Sequence, residues 1–299
     1  MLHHTYVAHT FRKQEKTATG RKTFSATNHP IELRRFPSEK TMNKKRRGFS
    51  PIISTVILTS TILILVLTTS FFANDVLTSQ VENAEFEVTI DVMLALNNMI
   101  KEVLYKPSSS RYVKTGFQTT SPHLLHTGDT ISVWAQVEGE PVEYLIEASP
   151  IHLIKIQGGA SVKDASKDLV GTSSVLVTDF SSLGHLYVQR APRAQLLLDF
   201  ARVRSVRTGM LNLTQEYNVL EVVFVNVTTG SIRLNDRAVF MIRNAGITIS
   251  QHAIEGAFTL GVDDTRGYHD TVSYSDLPYP VTLVNLMVIN VEVSIIGGV

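Results

Sequence analysis

The chain has 299 residues, 43% of them hydrophobic and 18% charged, so it can bury a sizeable core; it has no cysteine, which excludes disulfides, thiolate metal sites and a cysteine nucleophile. Its net charge of +1 hides a division: residues 1–48 hold 12 Lys+Arg against 3 Asp+Glu, and residues 74–299 hold 16 against 24. The acidic larger part argues against nucleic acid as a partner.

Residues 1–41 lack apolar periodicity, are rich in His, Thr, Lys and Arg, and read as disordered. Their histidines, His3, His4, His9 and His29, are too scattered for a metal site. Met42 stands directly before Asn43 and the cations Lys44, Lys45, Arg46 and Arg47. A start at Met42 would make residues 42–48 a compact basic leader, and the reading takes Met1 as a misassigned start. The alternative for the tail is a basic segment touching anionic lipid.

After Gly48, Phe49, Ser50 and Pro51 comes an uncharged run to Ala73. Roughly 23 residues at 1.5 Å rise span about 34 Å, enough for a hydrocarbon core of about 30 Å. Residues 49–73 are therefore expected to form a transmembrane helix, since a lone segment must satisfy its backbone internally. The basic cluster predicts a cytoplasmic N-terminus and an external C-terminal part.

The string Lys44-Lys45-Arg46-Arg47-Gly48-Phe49-Ser50-Pro51-Ile52-Ile53, leading straight into an apolar helix, resembles the class III signal and N-terminal helix of archaeal type IV pilins. The resemblance covers residues 44–73. It implies that a prepilin peptidase cuts after Gly48, leaving Phe49 as the first mature residue, and that mature helices pack as a filament core. Ile53 stands where bacterial pilins usually carry Glu, whereas Ser50-Pro51 fits the archaeal subtype. Two other readings compete: the core of a secretory signal, for which Phe71 sits at the −3 position of a cut after Ala73, and an uncleaved anchor. Within the span, hydroxyls from Ser54 to Ser70 either admit a neighbouring helix or bond to their own i−4 carbonyls.

Residues 74–106 turn amphipathic, with Leu77, Val81, Ala84, Val88, Val92, Ala95, Met99 and Val103 as the expected buried stripe. Gln80, Glu82, Glu87, Asp91, Asn98 and Lys101 fall largely off it, and Pro107 ends the helix near Tyr105.

Residues 107–299 read as a β-rich ectodomain. Short β-branched runs punctuated by Gly139-Glu140-Pro141, Gly158-Gly159 and Asn244-Ala245-Gly246 suit an antiparallel sandwich better than βαβ units. The overall class is α+β, a long N-terminal helix followed by a mostly antiparallel β-sandwich. Strands are expected at 130–137, 142–147, 151–157, 174–177, 185–189, 194–206, 219–227, 238–243, 247–250, 257–260 and 281–295.

No zinc-protease, hydrolase-elbow or nucleotide-binding pattern is present, no cofactor is implied, and the expectation is that the chain is not an enzyme. The carboxylates in Asp263-Asp264-Thr265-Arg266-Gly267-Tyr268-His269-Asp270 offer hard ligands for Ca²⁺ but lack the alternation of calcium loops; an acidic surface turn is the preferred reading. Arg190, Arg193, Arg202, Arg204 and Arg207 read as a solvated strand end, and Trp134 as core. Asn212-Leu213-Thr214 and Asn226-Val227-Thr228 match the N-glycosylation pattern.

Taken together these readings predict a structural subunit, major or minor, of a pilus-like filament for adhesion or surface attachment. Its partners would be membrane lipid, a prepilin-type peptidase and other pilin-like subunits. The competing function is a monomeric single-pass membrane protein whose ectodomain binds a ligand or envelope partner.

Overall fold

A computed structural model describes residues 51–163, 165–212, 216–232 and 237–297. It opens with one continuous helix, α1 (Pro51–Val103, 53 residues), roughly 80 Å long at 1.5 Å per residue. Pro51 suits the first helical position, where a missing N–H costs nothing. The end is set by Pro107 downstream, which has no N–H to donate, and by Asn244, whose amide Nδ2 donates to the Val103 and Leu104 carbonyls at 2.9 and 2.8 Å.

Thirteen described strands follow: β1 (Ser110–Gly116), β2 (Ser121–Val137), β3 (Glu143–Gln157), β4 (Lys167–Val170), β5 (Leu176–Val177), β6 (His185–Arg190), β7 (Ala194–Asp199), β8 (Val203–Asn212), β9 (Glu216–Ile232), β10 (Arg237–Glu255), β11 (Phe258–Asp264), β12 (His269–Tyr274) and β13 (Val281–Gly297). They form a six-stranded sheet ordered β1-β10-β13-β9-β8-β5 and a seven-stranded sheet ordered β12-β11-β2-β3-β7-β6-β4. Pairing is mostly antiparallel, as expected, but β13 runs parallel to β9 and β5 to β8, so the first sheet is mixed.

Several strand boundaries depart from expectation for local reasons. Asn244-Ala245-Gly246 does not end a strand; it is a bulge inside β10, after which pairing with β13 resumes in a new register. The run 194–206 breaks into β7 and β8 because Phe200, Ala201 and Arg202 leave the ladder and turn into the interior. β1, β4 and β12 were not anticipated: they are short or polar, with little apolar alternation to reveal them.

Buried apolar residues form two groups, each drawing on both sheets. One contains the helix residues Phe86, Met93, Leu96 and Ile100 with Ile154, Leu198, Val225, Phe240 and Val291. The other has no helix residue and joins Ile131, Val133, Leu197, Val222, Leu260 and Leu286. Neighbouring residues of β9 serve different groups: Leu220, Val222 and Phe224 one, Val223, Val225 and Val227 the other. A strand buried on both faces has no polar face to show, which is why this stretch is a near-unbroken apolar run.

Candidate functional site

The leader cations Lys44, Lys45, Arg46 and Arg47 and the processing pair Gly48 and Phe49 lie outside the described residues. The described chain begins with the apolar half of α1, in which every residue from Pro51 to Thr78 is exposed. This helix is long and apolar enough to cross a membrane. Its hydroxyls Thr55, Thr68, Thr69 and Ser70 each donate to a carbonyl one turn back, at 2.6–3.1 Å, so their polarity is met within the helix.

Burial starts at Glu82, and the face that goes inside differs from the one periodicity suggested. Glu82, Phe86, Thr89, Met93, Leu96, Asn97, Ile100 and Val103 are buried. Of the expected stripe, Val103 is buried and Val92, Ala95 and Met99 are partly so, whereas Leu77, Val81 and Val88 are 60%, 50% and 58% exposed. Apolar residues occupy more than one face of this segment, so spacing alone does not choose among them. The choice falls to the larger side chains Phe86, Leu96 and Ile100, together with polar residues that find partners in the β domain.

Two glutamates supply those partners where the helix meets the strands. Glu85 accepts from the backbone N–H groups of Gln118, Thr119 and Thr120 and from both threonine hydroxyls, at 2.6–3.1 Å. Burial alone would raise its pKa, but these donors outweigh it and hold the carboxyl at about 2. Glu82 accepts from the N–H of Ser161 at 2.6 Å, on the loop after β3. That loop approaches closely because Gly158 and Gly159 lack side chains: added Cβ atoms would stand 2.9 Å from the Phe86 ring and 2.4 Å from the Glu82 carboxyl carbon. Further along, Lys101 Nζ donates to the Ser181 carbonyl at 2.5 Å. Two loops and the Asn244 amide thus form a collar around the buried half of α1. Spacing alone puts Glu82 on the polar side of the helix, and no residue pattern announces the loop amide that receives it.

The acidic segment does not converge on one point. Asp263 meets Trp134 Nε1 and His269, Asp270 accepts from Ser174 and from the N–H groups of Val175 and Leu176, and buried Asp264 holds Arg266 through both carboxylate oxygens. Among the described residues no group of three or more His, Asp or Glu side chains is placed to hold a metal ion. The arginine cluster divides: Arg190, Arg193 and Arg207 are exposed, as a solvated strand end implies, whereas Arg204 is partly covered and Arg202 is buried. Arg202 is 2% exposed, and both it and Arg266 reach Asp199 Oδ2, at 3.3 and 3.0 Å. Arg202 also donates to His185 Nδ1 at 2.8 Å, so His185 Nε2 carries the proton it directs to Asp168. Burial pushes the His185 pKa down despite Asp168, and Arg202 adds to the effect. Burial opposes the charge on Arg266 too, but Asp264 and Asp199 overcome it and raise its pKa. These groups pin the β11–β12 turn to the β7–β8 corner, spending their charge on one another.

Of the glycosylation motifs, the Asn212 side chain, Leu213 and Thr214 lie outside the described residues. Asn226 is within β9, half-buried, and its Nδ2 donates to Asn290 Oδ1 of β13 at 2.8 Å. A glycan on that nitrogen would replace one of its two hydrogens and leave the other to keep this bond.

No family model, curated protein or solved structure matches the chain. Its function therefore rests on the arrangement just described.

Proposed function

We propose that the chain is a single-pass membrane protein with a cytoplasmic N-terminus and an external β domain, and that after removal of a leader ending at Gly48 it assembles into a pilus-like surface filament serving adhesion. The role is structural, not catalytic. On this reading the two sheets, which contribute to shared apolar groups, make up a β-sandwich with one mixed sheet.

The observation that carries the proposal is the division of α1. From Pro51 to Thr78 the helix is exposed and mostly apolar, whereas from Glu82 onward it is bound to the β domain. Leu77, Val81, Ala84 and Val88 form an uncovered apolar seam that runs from the end of the expected membrane run onto the outer side of the docked half, and Val81, Ala84 and Val88 border a groove with Glu85, Gly116, Phe117 and Gln118. In a monomer that seam would stand in water above the bilayer. Helices of other copies would cover it, which favours a filament over a solitary anchor.

Cutting before the helix preserves the whole apolar segment for such a bundle. Retaining Lys44, Lys45, Arg46 and Arg47 would draw four charges toward it, at roughly 3 kcal/mol each at full depth. Mass spectrometry of native protein should find a mature chain starting at Phe49. Gly48→Leu should leave a longer membrane-bound precursor that is absent from sheared surface material. Surface filaments still containing residues 42–48 would rule out this mechanism, and a monomeric uncleaved anchor would then stand as the better account.

A further inference from the structure

Trp134 is not buried where an aromatic residue in a strand would be expected. β2 sends Ile131, Val133 and Ala135 inward and places Ser132, Trp134 and Gln136 on the opposite, solvent-facing side. In register, Trp134 lies between Tyr144 of β3 and Gly261 of β11. A Cβ at Gly261 would stand 2.1 Å from the indole Cζ2, so the ring lies flat on glycine backbone and any side chain there would lift it. The indole edge is fixed as well: Nε1 donates to Asp263 Oδ2 at 2.7 Å, and the other Asp263 oxygen engages His269 Nδ1. The His269 ring lies beside the indole with 25° between the planes.

On the other side Tyr144, the residue paired with Trp134 in register, stands on the same face and is 56% exposed. One row along the same face stand Gln136, Thr259 and Ser273, paired across β2, β11 and β12. The two hydroxyls are 3.0 Å apart, and all three residues line a shallow depression beside the platform. The face therefore combines a flat, immobilised ring with groups that both donate and accept hydrogen bonds.

A pyranose ring presents the complementary chemistry, with a face of C–H groups and a rim of hydroxyls that each donate and accept. A ring already held in place loses little freedom when a ligand stacks on it. An anionic ligand finds no Lys or Arg among these residues; of the two carboxylates here, Asp263 is already engaged by Trp134 and His269, and Glu138, at the edge of the depression, can accept from a sugar hydroxyl. We propose that this face binds a neutral saccharide, with Trp134 and Tyr144 as the stacking platform and Gln136, His269 and the Thr259–Ser273 pair meeting its hydroxyls. The site does not require filament assembly and would serve a monomeric anchor equally.

Trp134 is the chain's single tryptophan, so its emission reports on this face alone. The full chain, held in a phosphocholine detergent because glycoside detergents would compete, is titrated with glucose, mannose and N-acetylglucosamine oligomers. At least one series should shift the emission saturably. Tyr144→Ala should weaken that binding about tenfold, the loss of one aromatic contact, and Tyr144→Phe should restore it. Emission unmoved by every oligomer up to about 10 mM would overturn the proposal. So would binding that Tyr144→Ala leaves intact, or a response confined to charged probes such as an oligolysine peptide.

Discussion

The two halves of α1 share a backbone but solve opposite problems. The first half shows apolar side chains at every turn and closes its hydroxyl bonds within itself, so it makes no demand on the β domain. The second half buries Phe86, Met93, Leu96 and Ile100 and sends Glu82 and Glu85 out to loop amides. The difference teaches that overall hydrophobicity does not tell which part of a helix is docked. The docked half contains the carboxylates, because a β domain with unpaired loop N–H groups has something to offer them.

The contrast is broken most severely by placing charge where the second half is dry. Leu96→Asp, at a side chain with no exposure, should cost about 4 kcal/mol or more and lower the melting temperature by roughly 10 °C. Val88→Asp, on the uncovered seam, should change the isolated protein by no more than about 0.5 kcal/mol. Equal melting curves for the two variants would contradict the assignment of the buried face.

A smaller effect is expected from Asn244→Ala. It strips the donors from the Val103 and Leu104 carbonyls, in a buried setting, and the acceptor from the part-buried Gly246 N–H. A loss of about 2 kcal/mol by denaturant unfolding is expected, with earlier proteolysis near Pro107.

A smaller loss than that of Asn244→Ala sharpens the contrast through pH. The Glu85 carboxyl titrates at about 2 in the folded chain against an ordinary 4.5, so its contribution is whole above pH 4.5 and drains away as pH falls toward 2. Because the group is only partly buried, screening reduces this to about 1 kcal/mol. Glu85→Gln should cost that much at neutral pH and flatten the acid limb of the stability curve between pH 4.5 and 2. An unchanged acid limb would remove Glu85 from the collar's energetics.

What could be read from the sequence followed the strength of local pattern. The long helix was legible because an uncharged run and a proline bound it, and its end fell within two residues of the expected Tyr105. β13 was legible because Val281–Gly297 is a long, mostly β-branched apolar run without a proline or an internal glycine. The buried helix face was not, since Val88 and Phe86 are both apolar and only the loop positions of Gly158, Gly159 and Thr119 decide between them. Arg202 escaped detection for a related reason: its burial depends on Asp199 and on His185, which sits in another strand. Trp134 was misplaced because an alternating strand implies two faces without saying which of them is wet, and the glycine that holds the ring outside lies 127 positions away.

The position of β13 has a consequence for the order in which the molecule can be made. This strand lies in the middle of its sheet, between β10 and the parallel β9, and it brings Ile289, Val291, Val293 and Ile295 to the helix-facing core. Roughly 190 residues separate those positions from the helix they cover, and contacts of such long sequence separation form late. On the proposed topology, a chain emerging from its N-terminus would commit the helix to the bilayer while the second half of that helix still lacked its dock. Phe86, Leu96 and Ile100 would remain uncovered until nearly the whole chain had passed across. The interval is one in which a holding factor on the far side of the membrane would have surface to grip, and in which shortening the chain before Ile289 would leave an anchored but unfinished domain for proteases to clear.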